Sequence, residues 1–127
     1  MESYITMLMI NFIKVLKKFT VFAGRSGRRE FWMFVLCNII VGIALSILGN
    51  IPLIGKLFYV VSILYSLAVL IPGIAVGIRR LHDTNRTGLL MLLVLIPGLG
   101  AIIVLVLCAM EGTSGENQYG PDPKNEA

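Results

Sequence analysis

Charge is scarce along most of this chain. Between Phe31 and Met110 only five residues carry a formal charge: Lys56, Arg79, Arg80, Asp83 and Arg86. Over the whole chain charged residues make up 14%, against about 25% in an ordinary globular protein. That shortage argues against a soluble domain. Other shortages remove whole classes of chemistry. One histidine, two cysteines and no Cys-x-x-Cys leave no set of three or four ligands for a dedicated zinc site. Cys37 and Cys108 both lie in apolar stretches, so no disulfide framework is expected and both read as small buried hydrophobes. There is no Gly-x-Ser-x-Gly motif. The glycines around Gly24 and Gly27 lack the length and the Lys-Ser/Thr of a P-loop. Lys14, Lys17 and Lys18 follow the first apolar stretch, the reverse of a signal peptide's order. No metal, no cofactor and no nucleic-acid partner is expected.

The apolar residues, 57% of the 127, come in three uncharged runs: Phe31–Gly55, Leu57–Ile78 and Thr87–Met110, of 25, 22 and 24 residues. A helix of roughly 20 apolar residues crosses the hydrocarbon core of a bilayer. Runs this long, without alternation, exclude a β-barrel. The expected fold is an all-α membrane protein with three transmembrane helices at about 31–48, 57–78 and 87–110. Residues 1–23 form an amphipathic segment, 24–110 the transmembrane domain and 111–127 a polar, acidic tail.

In the first segment, Ile5, Leu8, Met9, Phe12, Leu16 and Phe19 share one helical face, with Lys14, Lys17 and Lys18 opposite. Such a helix lies flat among lipid headgroups or packs its apolar face on the spans. Phe31, Trp32 and Phe34 mark the mouth of span one, which Gly49-Asn50-Ile51-Pro52 ends. Pro72 is expected to kink span two. Gly73 and Gly77 make a small-xxx-small pair for close helix packing. Pro97-Gly98-Leu99-Gly100 falls in the middle of span three. The segment reads as a kinked span. The alternative is a re-entrant hairpin of two short halves, which irregular backbone permits only under protein cover.

Lysine and arginine fix the orientation. Lys14, Lys17, Lys18, Arg25, Arg28 and Arg29 precede span one, and Arg79, Arg80 and Arg86 lie between spans two and three. Lys56 stands alone in the other loop, and Lys124 in the tail. By the positive-inside rule the first two groups are cytoplasmic. Three spans then place the tail outside; the hairpin would return it inside.

Three blocks carry a family pattern. They are Phe22-Ala23-Gly24-Arg25-Ser26-Gly27-Arg28-Arg29-Glu30-Phe31-Trp32, then Arg79-Arg80-Leu81-His82-Asp83-Thr84 with Arg86 and Gly88, then Gly112-Thr113-x-Gly115-x-Asn117-x-Tyr119-Gly120-Pro121-Asp122-Pro123. In order and spacing the chain resembles the small bacterial inner-membrane proteins grouped as domain of unknown function 805 (DUF805), from about Val21 to Pro123. Leu89 departs from the family, which often has an aromatic there. The resemblance implies a multi-pass protein of the bacterial cytoplasmic membrane and supplies no activity.

The arginines serve first as topology anchors, each Lys or Arg near an anionic leaflet contributing about 1 kcal/mol. The sharper expectation is an anion or lipid-headgroup site drawn from Arg25, Arg28, Arg29, Arg79, Arg80, His82, Asp83 and Arg86, since guanidinium forks suit phosphate and carboxylate. His82-Asp83 suggests a general base, but adjacent residues seldom face each other. Asp83 is expected to cap the turn or pair with an arginine, and Glu30 to complement its helix dipole. Span interiors hold no charge and few polar groups: Asn38, Ser46, Ser62, Tyr65 and Ser66. The function expected is a non-enzymatic accessory protein that engages anionic lipid, a second copy or a membrane partner. The alternative is a subunit of an oligomeric channel or transporter.

Overall fold

The computed structural model describes residues 2–123, and Lys124 lies outside them. The described chain is helical: α1 (Glu2–Lys17), α2 (Arg28–Gly49), α3 (Gly55–Asp83), a 3₁₀ segment (Gly88–Leu95) and α4 (Leu99–Ala109). A lone bridge pairs Asn117 with Gly120 in the tail.

Two helices are long and apolar enough to cross a membrane, α2 with 22 residues and α3 with 29. At 1.5 Å per residue they measure about 33 and 43 Å, against a hydrocarbon core of about 30 Å. They pack side by side through a tight turn in which the Gly55 amide donates to Ile51 O at 2.8 Å. A Cβ on Gly55 would collide with the Gly49 carbonyl, so glycine is needed there. α3 passes through Pro72 without interruption and continues beyond Ile78. Arg79, Arg80, His82 and Asp83 therefore ride on the last turn of the helix and not in a loop. Most apolar side chains of both helices point outward, Ile47 and Leu64 being 65% and 61% exposed. An apolar surface this extensive needs a bilayer or a partner to cover it.

The third expected span does not form as one helix. Residues 88–95 make the 3₁₀ segment, and α4 has only 11 residues, about 16 Å. Between them the chain reverses at Pro97-Gly98, with Gly98 at φ +76°, a conformation glycine adopts freely. The two halves pack on each other so closely that a Cβ on Gly100 would overlap the Leu93 carbonyl oxygen. Entry and exit lie at the same end of α3. Gly88 sits on Ile78, and Arg80 bonds the carbonyls of Cys108 and Met110. This is the hairpin and not the kinked span. The tail lies at the same end of the bundle as the basic segments, as the hairpin alternative requires. Thr87 caps the 3₁₀ segment, its Oγ1 accepting from the Leu89 amide at 3.3 Å.

α1 takes the second of its two expected placements, packed on the spans. Leu8 O lies opposite Cys37, Phe12 stacks on Phe34 at 5.5 Å, and Lys14 pairs with Glu30 at 3.7 Å. That register runs α1 antiparallel along α2, not flat across its end. Leu8, Phe12 and Val15 face the bundle, while Ile5, Met9, Ile10 and Ile13 are exposed. The packed core, Val15, Phe31, Phe34, Val76, Leu81, Val104 and Cys108, draws on all four α-helices. It gathers at the basic end. Both cysteines are free thiols.

In a chain with Cys37 and Cys108 replaced by alanine, single cysteines at Asn85 and Ser114 are expected to react with an impermeant maleimide from the same side of sealed vesicles. One at Lys56 is expected to react from the other side. Labelling of Ser114 together with Lys56 would restore the three-span topology.

Candidate functional site

The three sequence blocks meet at the basic end. Arg25 comes from the turn before α2, Arg79, Arg80 and Asp83 from the last turn of α3, and the acceptor carbonyls from the segment before α2, the end of α4 and the chain after it. The helical register decides which way the α3 side chains point. Residues 79, 80 and 83 fall within one turn and face inward, whereas His82 turns toward the tail.

Asp83 is the centre. It is 2% exposed and accepts from Arg25 Nε at 2.9 Å and from Arg80 Nη1. Arg25 Nη2 lies 2.9 Å from the same carboxylate. Arg25 also reaches the carbonyls of Thr113, Gly115 and Gly120. Arg80, fully buried, donates to Ser26 O at 3.0 Å, to Cys108 O at 2.8 Å and to Met110 O. Arg79 donates through Nη1 to Glu30 Oε2 at 2.7 Å and through Nε to Val21 O at 3.1 Å. Its Nη2 is the one buried side-chain nitrogen or oxygen among the described residues that meets no acceptor. Buried charge is tolerated only when paired and hydrogen-bonded. Here two carboxylates and a ring of main-chain carbonyls serve three guanidinium groups, with Arg79 Nη2 alone left over among the buried side-chain nitrogens and oxygens of the described residues.

The tail motif is the acceptor side of this knot. Thr113 donates its amide to Asp83 O at 2.7 Å. Gly112 lies so close to the Asp83 carboxylate that a Cβ would overlap it. Asp122 receives the Gly115 amide at 3.0 Å, and Asn117 Nδ2 donates to His82 O at 3.0 Å. Gly120, at φ +132°, turns its carbonyl back to Arg25. Tyr119 stacks on His82 with ring centroids 4.0 Å apart and planes 1° from parallel.

Of the residues expected to form an anion site, Arg25, Arg79, Arg80 and Asp83 are brought together and bonded within the chain. His82 Nδ1 is 2.9 Å from Gly24 O. Its ring lies on Tyr119, and the Asp83 carboxylate is occupied by two arginines, so no His-Asp dyad forms. Arg28 and Arg29 are exposed and Arg86 is half-buried, all outside the knot. Arg28 Nη1 touches Ala109 O at 3.5 Å and Arg86 Nη2 the Met110 Sδ at 3.7 Å. Gly73 packs on Phe34, and Gly77 on Met91 with a Cβ clearance of 2.9 Å. The expected packing pair thus serves two different neighbours. No cluster of three or more His, Cys, Asp or Glu side chains suited to a metal occurs among the described residues. Sequence reading missed Ser26, fully buried between the arginines, and Glu30 as the partner of Arg79. The Arg-Ser-Gly-Arg-Arg-Glu string was the only available signal for either.

Residues 19–121 match the family model described as "Protein of unknown function (DUF805)". The chain belongs to this family. It is 45% identical to inner membrane protein YhaI of Escherichia coli K12, over 89% of this chain and 94% of that protein. It is 42% identical to inner membrane protein YhaH of the same strain, over 91% and 97%. The uncharacterized protein YiiR of that strain is 27% identical over 82% and 86%. No solved structure matches. The family match takes in the first two motif blocks and most of the third, so the knot lies almost wholly inside the family region. The long apolar helices agree with a family of inner-membrane proteins.

Asp83→Ala leaves Arg25 and Arg80 with uncompensated buried charge, and a loss of about 3–5 kcal/mol is expected. Gly112→Ala is expected to lower the melting temperature in the same direction by displacing the carboxylate. Thermal unfolding in mild detergent measures both, with Arg29→Gln as the exposed control that should melt like the parent chain.

Proposed function

We propose that this protein is a non-enzymatic, multi-pass accessory protein of the bacterial inner membrane, with its basic end on the cytoplasmic side and engaging anionic lipid headgroups there. The observation that carries the reading is the division of labour among the basic residues. Arg25, Arg79 and Arg80 are buried in internal pairs, and around them Lys17, Arg28 and Arg29 stay exposed. A rim of like charge beside an apolar bundle attracts an anionic leaflet. The lone Lys56 at the far end supports the same orientation through the positive-inside rule. A channel or transporter subunit is the second reading. It has the polar side chains of α2 and α3 in its favour and their lack of charge against it.

Reconstitution in nanodiscs of mixed phosphatidylglycerol and phosphatidylcholine, followed by native mass spectrometry, tests the proposal. The parent chain should retain phosphatidylglycerol preferentially. The Lys17→Gln/Arg28→Gln/Arg29→Gln variant should lose that preference by about tenfold or more, given the attraction of each charge to an anionic surface. Equal retention of the two lipids by the parent chain would sink the idea.

A further inference from the structure

The half of the bundle away from the knot is loosely packed, and it holds a cavity of about 580 Å³ between α2 and α3. Every serine and asparagine side chain within these two helices lines it: Asn38, Ser46, Ser62 and Ser66, joined by Tyr65. Residues so scattered in sequence converge because 38, 42, 45 and 46 repeat on one helical face of α2. Residues 62, 65, 66, 69, 70 and 73 repeat on the opposing face of α3. The glycines Gly42 and Gly73 leave the space open.

The polar atoms are only partly satisfied. Tyr65 Oη donates to Asn38 Oδ1 at 2.8 Å, Asn38 Nδ2 to Phe34 O at 2.8 Å, and Ser62 Oγ to Phe58 O at 3.0 Å. Among the described residues the hydroxyls of Ser46 and Ser66 have no hydrogen-bond partner, and both residues are exposed. In the hydrocarbon part of a bilayer an unmet hydroxyl is costly. The groove holds no charged residue, so an ionised head would find no counter-charge. Its remaining walls, among them Leu45, Leu70 and Met91, suit an acyl or prenyl chain. The volume falls within the roughly 300–1,000 Å³ of small-molecule sites.

We propose that this groove binds an uncharged lipid whose head offers hydroxyl or carbonyl oxygen, as a diacylglycerol or an isoprenoid quinone does. Asn38 and Tyr65 orient the head, and the hydroxyls of Ser46 and Ser66 complete its hydrogen bonds. The site is separate from the basic rim, so either can fail without the other.

Photo-crosslinking in phosphatidylethanolamine vesicles tests this. The probes are a diazirine-bearing diacylglycerol and a short-chain azido-quinone, with a diazirine-bearing phosphatidylglycerol as the charged control. At least one uncharged probe should label the groove-lining peptides of α2 and α3 saturably, and the one that does identifies the source of the head. Ser46→Leu/Ser66→Leu, which fills the groove, should lower that labelling about tenfold, equivalent to about 1.4 kcal/mol, with the melting temperature retained. Should that pair fail to fold, Tyr65→Phe with Ser66→Ala removes two hydroxyls without adding bulk and should lower labelling in the same direction. Three results would overturn the proposal. They are no saturable labelling by either uncharged probe, equal labelling by phosphatidylglycerol, and disulfide crosslinking between Ser66→Cys copies that shows a second chain seated in the groove.

Discussion

A carboxylate held between two guanidinium groups out of water cannot lose either partner cheaply, and Asp83 is so held by Arg25 and Arg80. The arginines in turn gather carbonyls from 26, 108, 110, 113, 115 and 120. Through these bonds the turn before α2, the end of α3, the exit of the hairpin and the tail become one object. Desolvating such a pair is expensive; what it supplies is geometric uniqueness, since few other placements of the tail satisfy all the donors.

That constraint explains how unevenly the bundle is packed. At the knot end the helices converge on Val15, Phe31, Phe34, Val76, Leu81, Val104 and Cys108. At the other end α2 and α3 stand almost alone, with their apolar faces outward and a polar-lined groove between them. In a bilayer the hydrophobic effect does not press helices together, because lipid tails cover an outward leucine as well as another helix does. Close association therefore concentrates where buried polar bonds or small residues supply a specific attraction. The knot end has both, with Gly77 and Gly88 letting the hairpin settle on α3.

Much of this was legible in the sequence. α2 and α3 follow from uncharged runs long enough to cross, and the nine basic residues assigned to one face lie at one end. The pairing of Asp83 with an arginine was among its expected roles. Less legible were the hairpin and α1. Thr87–Met110 has the length of a span, and Pro97-Gly98 reads equally as a kink or a reversal. The choice rests on whether Gly100 can approach Leu93 and whether Arg80 finds Cys108 and Met110, and both are contacts between distant residues. In α1 the apolar positions go almost all the way round. Periodicity alone could not separate the face that meets Phe34 from the face left outside.

The sequence by itself determined that this is a helical membrane protein, because the length of apolar runs and the placement of charge act through local physics, and its three motif blocks carried the resemblance to the family. The tertiary structure alone decided that three separate motif blocks form one buried knot. It also decided that the tail returns to the basic end and that the scattered serines share a groove with Asn38 and Tyr65. Those facts depend on where helices cross and which side chains meet across them. No spacing along a single chain encodes such distances.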